Sequence, residues 1–82
     1  MELKDTIELM NSGDYKERFK AEYLQAKIRY DKLHKMLIKV EARTLDFQPN
    51  CPIELLRLQK QTLGEYLYTL EVRAEIEQIE LN

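Results

Sequence analysis

A heptad pattern of apolar residues in the first half of the chain restricts the fold more than any other feature. The residues follow one another at alternating steps of four and three: Phe19, Tyr23, Ala26, Tyr30, Leu33, Leu37 and Val40. This spacing keeps one apolar stripe on a single side of an α-helix, and a partner helix has to cover that stripe. Asp14 is the predicted N-cap of this helix, and Glu17, three residues later, is predicted to complete a capping box. The sequence therefore predicts a long amphipathic helix over residues 14–43.

A second helix, predicted from about Pro52 to Ile79, supplies the partner. Turn-forming residues between Thr44 and Cys51 separate the two helices, and proline suits the first position of a helix. One apolar stripe of the second helix pairs with the first helix. Another stripe lies about 100° or more away around the same helix; its members are Leu58, Val72, Ile76 and Ile79. Because two stripes require two neighbours, we expect an all-α fold: an antiparallel two-helix hairpin that assembles as a homo-oligomeric helical bundle.

The chain divides at Ser12 and Gly13, where two helix-breaking residues follow a short amphipathic segment. We predict an N-terminal helical arm over residues 1–13 and a helical hairpin domain over residues 14–82. A single domain of 82 residues obtains only a few kcal/mol of stability from its own core, roughly 3–5 kcal/mol. Self-association is therefore expected from size alone.

The charges are distributed unevenly along the chain. Residues 14–43 hold nine Lys or Arg against five Asp or Glu, a balance of +4, whereas residues 44–82 hold three against seven, a balance of −4. This complementarity favours pairing between the two helices, within or between subunits. The net charge of −2 gives no long-range attraction to DNA or to anionic lipid, so neither DNA nor membrane is an expected partner. No signal peptide is evident, and the single cysteine fits a reducing cytoplasm.

Residues that could carry out catalysis are few. His34 and Cys51 are the only histidine and the only cysteine, at unrelated positions, so they form no predictable nucleophile–base pair. The glutamates between Glu71 and Glu80 have no Glu-x-x-His partner and are expected to form a solvated face rather than a metal site. We therefore predict a protein that is not an enzyme and that has no metal or cofactor.

Tyrosine and arginine residues cluster at the predicted open end of the hairpin. Tyr15, Arg18 and Glu22 share one side of the first helix, and Tyr66 and Arg73 share one side of the second. Tyrosine rings stack on bases, and arginines bind phosphates by paired hydrogen bonds. This interpretation predicts a ligand site made of Tyr15, Arg18, Lys20, Glu22, Tyr66 and Arg73. The alternative is a Glu22–Arg73 ion pair that only sets the register of the two helices.

Several short motifs resemble those of a known group of proteins. They are residues 14–23 (Asp-Tyr-Lys-Glu-Arg-Phe-Lys-Ala-Glu-Tyr), Asn50-Cys51-Pro52, Leu55-Leu56-x-x-Gln59, Tyr66-Leu67-x-x-Leu70 and Arg73-Ala74. Together they resemble a family of small phage and prophage proteins that also occurs in crAss-like phages. The helical hairpin of that family is similar to phage sponge proteins. These bind nucleotide second messengers of bacterial immunity (CBASS cyclic oligonucleotides, Thoeris cyclic ADP-ribose species) without cleaving them, and they work as oligomers with ligand pockets between subunits.

The resemblance implies a phage-encoded, non-enzymatic sponge in the bacterial host cytoplasm that sequesters a nucleotide-derived small molecule. Two other hypotheses stay open on the sequence. One is a protein-binding inhibitor of a host defence system, of the anti-CRISPR or anti-restriction type, that uses the second apolar stripe. The other is a structural phage protein.

Overall fold

The computed structural model describes residues 1–81, and that part of the chain is helical with no β-strand. A 3₁₀ turn, Leu3–Thr6, leads into the short helix α1, Ile7–Met10. Two long helices follow: α2, Tyr15–Ala42, and α3, Ile53–Glu77. The predicted all-α class is confirmed. Among the described residues, no helix contains an apolar segment long enough to cross a bilayer.

The start of α2 follows the predicted cap but not the predicted capping box. The Asp14 carboxylate accepts a hydrogen bond from the Lys16 backbone N–H at 3.0 Å. The Asp14 backbone N–H donates to the Ser12 hydroxyl at 3.0 Å, and that hydroxyl donates to the Glu17 carboxylate. A serine hydroxyl can accept and donate at once, so Ser12 takes the place between Asp14 and Glu17 that a direct capping-box bond would occupy.

Helices α2 and α3 pack along each other, and their contacts show which ends meet. The Tyr15 hydroxyl reaches Glu77, and the Arg57 guanidinium reaches Glu41, so the start of α2 lies beside the end of α3. The buried residues between the two helices are Phe19, Ala26, Leu37, Leu67, Leu70 and Ala74. Those from α2 belong to the predicted heptad stripe, which therefore faces α3.

The end of α3 differs from the prediction. Gln78 adopts the left-handed conformation at φ 58°, and the Ile79 backbone N–H donates to the Ala74 carbonyl at 2.8 Å. This is the Schellman arrangement, which turns the chain back on the last helical turn. Ile79 is consequently buried in one cluster with Phe19, Leu70 and Ala74. The prediction that Ile79 belongs to the second, outward stripe was wrong because the helix ends two residues earlier.

The N-terminal arm packs on the side of α2 that faces away from α3. Ala21 and Ile28 are buried on that side, about half a turn from the heptad stripe. Thr6 is fully buried in the contact. The Thr6 hydroxyl donates to the Leu3 carbonyl at 2.7 Å and accepts from the Gln25 amide at 3.0 Å. Helix α2 is thus covered on two opposite sides.

Candidate functional site

The structure brings together two of the predicted site residues, Tyr15 and Arg73. Arg73 Nη2 donates to the Tyr15 hydroxyl at 2.8 Å, and that hydroxyl donates to Glu77 Oε1 at 2.9 Å. Arg73 Nε also forms an ion pair with Glu77 at 3.2 Å. The Arg73 guanidinium lies 4.8 Å from the ring centroid of Phe19, which is a cation–π distance. Tyr15, Arg73 and Glu77 therefore form a closed cluster, which we call the Tyr15 cluster.

The protonation preferences of the Tyr15 cluster agree with a structural role. The hydrogen bond to Glu77 raises the pKa of Tyr15, with a further contribution from burial. The hydrogen bond to Glu77 is also the main cause that raises the pKa of Arg73. The phenol is held neutral and the guanidinium charged. Both groups are engaged within the protein before any ligand arrives.

The remaining predicted site residues are not gathered into one site. Arg73 forms its ion pair with Glu77, one helical turn away on α3, because residues four apart on a helix are immediate neighbours. Glu22 forms no ion pair with Arg73, and its negative charge makes only a small contribution to the raised pKa of Arg73. Arg18 Nη1 donates to the Ser12 carbonyl at 2.8 Å. Tyr66 is 40% exposed. Lys20 points to a different side of α2 from Arg18 and lines a small groove beside Gln78.

A larger groove lies on the opposite edge of the α2–α3 pair, with a volume of about 690 Å³. Two of its lining residues come from α2 and the others from α3. They are Tyr30, Leu37, Arg57, Lys60, Gln61, Gly64, Glu65, Tyr68 and Thr69. We call this the Tyr30 groove. The predicted site shares no residue with it.

Gly64 explains how Tyr30 can lie so close to α3. A Cβ atom added at Gly64 would stand 3.3 Å from Cε2 of the Tyr30 ring, which is tighter than ordinary van der Waals contact. A glycine inside a helix costs about 1 kcal/mol of stability relative to alanine. Gly64 permits the close approach of the Tyr30 ring to α3. The ring of Tyr30 lines the groove beside Gly64.

The walls of the Tyr30 groove combine positive charge with aromatic surface. Lys60 Nζ lies 5.7 Å from the Tyr30 ring centroid. Lys27, which does not line the groove and pairs with Asp31, lies 5.6 Å from the same centroid. Arg57 forms an exposed ion pair with Glu41 at 3.3 Å. Among residues 1–81, Lys60 makes no ion pair. Tyr68 also lines the groove, with 68% of its surface exposed, so a second aromatic ring is accessible to a bound molecule.

Polar hydrogen-bonding groups complete the groove. The Gln61 amide donates to the Glu65 carboxylate at 3.3 Å. The site can therefore stack on a planar ring, neutralise an anion and accept or donate hydrogen bonds at one wall. In the described part of the chain, no three His, Cys, Asp or Glu side chains are grouped so that they could hold a metal ion.

The Tyr30 groove was not predicted, although the sequence contains signals for it. Tyr30 was assigned to the heptad stripe, because its spacing satisfies that pattern. The signal lies in the combined spacing on the second helix: Lys60 interrupts an apolar stripe, Gly64 follows four residues later, and Tyr68 four residues after that. Residues spaced by four lie on one helix face, so a cation, a position without a side chain and an aromatic ring are aligned on that face.

Within residues 1–81, the structure is that of a small all-α protein whose principal groove is aromatic and basic. A family model described as Sequestin matches residues 13–76. The match spans α2 and nearly all of α3, which is well over half of the chain, and the chain belongs to the Sequestin family. No curated protein and no solved structure matched it significantly.

Proposed function

We propose that this protein sequesters a nucleotide-derived small molecule by binding it in the Tyr30 groove without converting it. The observation that carries the proposal is the placement of Tyr30, Tyr68, Lys60 and Arg57 around one groove. Such a set provides stacking surface for a base and positive charge for phosphate. The family name, Sequestin, supports sequestration as the role. The resemblance to phage sponge proteins supports a nucleotide as the ligand.

The size and the chemistry of the groove fit a ligand of this class. Its volume of about 690 Å³ lies within the range of roughly 300–1,000 Å³ that is usual for small-molecule sites. A base would stack on Tyr30, with Tyr68 closing over it. Lys60, which has no ion pair within residues 1–81, would bind phosphate first. Arg57 would join after release from its exposed pair with Glu41, which costs little.

In the proposed setting, the ligand is an immune second messenger of the cyclic oligonucleotide or cyclic ADP-ribose type. The protein is a phage product that acts in the host cytoplasm, self-associates and lowers the free concentration of the signal. It performs no chemistry, so its effect depends on affinity and on its amount. The Tyr15 cluster is proposed to fix the register of α2 and α3, because its groups already satisfy one another.

Calorimetric titration with cyclic dinucleotides, cyclic trinucleotides and cyclic ADP-ribose isomers tests the proposal. We expect at least one of these to bind, and Tyr68→Ala and Lys60→Gln each to weaken binding about tenfold or more, since stacking on one ring contributes roughly 1–3 kcal/mol. Tyr66→Ala is the matched control, because Tyr66 is an exposed tyrosine on the same helix but outside the groove. Denaturing the complex should release the ligand unchanged.

Two results would contradict the proposal. If no ligand of the panel binds or raises the melting temperature, sequestration of this class of molecule is excluded. If Tyr66→Ala abolishes binding while Tyr68→Ala does not, the ligand occupies the other edge of the helix pair, and the originally predicted residues carry the function.

A further inference from the structure

The face of α3 that points away from α2 carries large apolar side chains exposed to solvent. Leu55 is 55% exposed, Leu58 56%, Val72 41% and Ile76 76%. They lie on one side of the helix, two near its start and two near its end. Single exposed apolar residues are normal on a protein surface, but a row of four on one helix face indicates an interaction surface.

The charges of α3 determine which kind of helix can lie on this face. Residues 53–64 contain Arg57 and Lys60 against Glu54, a balance of +1. Residues 65–77 contain Arg73 against Glu65, Glu71, Glu75 and Glu77, a balance of −3. Two α3 helices side by side in parallel would bring their acidic halves together. In the antiparallel arrangement, each acidic half lies beside a basic half, which favours association.

We infer that a second copy of this chain binds to this face, with the two α3 helices antiparallel about a two-fold axis near Glu65. Leu58 and Val72 are each seven residues from Glu65, so Leu58 of one copy faces Val72 of the other. Leu55 lies ten residues and Ile76 eleven residues from Glu65, so Leu55 of one copy comes next to Ile76 of the other, offset by one position. The pairing covers both apolar ends of the row at once and is the self-complementary contact that a two-fold dimer requires. This inference rests on the proposed function in one respect: it identifies the surface through which the proposed self-association takes place.

The two-fold axis also makes a prediction about Glu65. Glu65 lies between the two apolar ends of the row, so the two copies of its carboxylate meet near the axis. Two like charges at short distance oppose association. We therefore expect Glu65→Gln to tighten the dimer. Val72→Glu places a new charge against Leu58 of the second copy, and we expect it to dissociate the dimer.

Sedimentation velocity over a range of protein concentrations measures these effects. We expect the wild-type protein to associate, Val72→Glu to raise the dissociation constant more than tenfold, and Glu65→Gln to lower it. Ile38→Glu is the matched control, because Ile38 is a similarly exposed β-branched residue, 52% exposed, on α2; it should leave association unchanged. Circular dichroism verifies that each variant keeps its helix content.

Disulfide cross-linking tests the direction of the helices. In a Cys51→Ser background, a mixture of the Leu58→Cys and Val72→Cys variants should form a disulfide between different chains under mild oxidation. Leu58→Cys alone should not, since in an antiparallel pair the two copies of position 58 lie far apart. Cross-linking of Leu58→Cys with itself would indicate parallel helices and overturn the inference.

Other outcomes also separate this inference from the proposed function. A wild-type protein that stays monomeric at all concentrations overturns the inference, even if it binds a nucleotide. The same holds if Val72→Glu leaves association intact, because the copies then meet through another face. A monomer that loses binding to a host protein on Val72→Glu would assign this face to that protein instead. Ligand titration of the Val72→Glu variant tests the groove independently of the dimer.

Discussion

At the scale of single residues, Tyr23 shows how the packing of two helices changes the pKa of a side chain. Its ring packs against the buried cluster of Phe19, Leu70, Ala74 and Ile79, and its hydroxyl donates to Glu71 at 2.8 Å. Burial, followed by the hydrogen bond to Glu71, raises the pKa of Tyr23 to about 12. The folded state therefore favours the neutral phenol.

The raised pKa of Tyr23 predicts a loss of stability in alkali. In the unfolded chain, a tyrosine ionises near pH 10. The stabilisation from the neutral phenol is fully present below that pH and is lost as the pH rises from about 10 to about 12. The free energy of unfolding of the wild-type protein should fall over this range, and more steeply than that of Tyr23→Phe. Urea unfolding at several pH values measures the difference.

An absorbance titration gives the corresponding control. Subtracting the Tyr23→Phe curve from the wild-type curve isolates the ionisation of Tyr23, which should have its midpoint near pH 12. A midpoint near pH 10 would show that the ring is solvated and that the contact with Glu71 is not formed. At neutral pH, the substitution should cost only about 1 kcal/mol, the usual value for one hydrogen bond.

Residue chemistry also explains why only part of the site could be predicted. Tyr15 and Arg73 were predicted to lie at the same end of the helix pair, because the pairing of the two helices follows from apolar periodicity, and their side chains form a hydrogen bond there. The partner of Arg73 was not predictable in the same way. Glu22 and Glu77 both carry the negative charge that an arginine pairs with. Which of them forms the ion pair with Arg73 depends on the short distance between neighbouring turns of α3. The Tyr30 groove was missed because a tyrosine in a heptad stripe is indistinguishable in sequence from a core residue.

At the scale of helices, the starts were easier to predict than the ends. Asp14 is the N-cap of α2 as predicted. Pro52 was predicted at the first helical position and is instead the N-cap of α3, which begins one residue later at Ile53. Both ends use left-handed residues that are not glycine: Arg43 at φ 61° and Gln78 at φ 58°. No glycine marks the end of the second helix, so that predicted helix was too long and Ile79 was assigned to the wrong face. The predicted end of the first helix at about residue 43 agrees with the observed end at Ala42.

The two left-handed ends predict a stabilising substitution. An L-residue in this conformation is strained by roughly 1–2 kcal/mol, and glycine is not. We expect Gln78→Gly to raise the free energy of unfolding by about 1 kcal/mol, as measured by urea unfolding. Gln59→Gly is the matched control, because Gln59 lies exposed inside α3, where glycine should cost about 1 kcal/mol. Equal losses in both variants would contradict the assigned helix end.

At the scale of the whole molecule, α2 is the central element. It is covered by α3 on one side and by the N-terminal arm on the opposite side, as the burial of Ala21 and Ile28 shows. The family match begins at residue 13, so the arm lies outside the matched region. The arm is short, a 3₁₀ turn followed by one turn of α-helix, so its stability can differ from that of the α2–α3 pair.

The hydroxyl of Thr6 provides a way to separate these two levels of stability. It is fully buried and accepts a hydrogen bond from Gln25. Thr6→Val keeps the shape but removes this acceptor, so the Gln25 amide retains only the Met10 sulfur, a weaker acceptor at 3.2 Å. Such a loss costs about 1–3 kcal/mol. We expect hydrogen exchange of the backbone amides in residues 7–10 to accelerate at least several-fold, while the protection of α3 stays unchanged. Thr62→Val is the matched control, because the exposed Thr62 hydroxyl donates only to the Leu58 carbonyl. If Thr6→Val accelerates exchange equally in α3, the arm and the two long helices unfold as one cooperative unit.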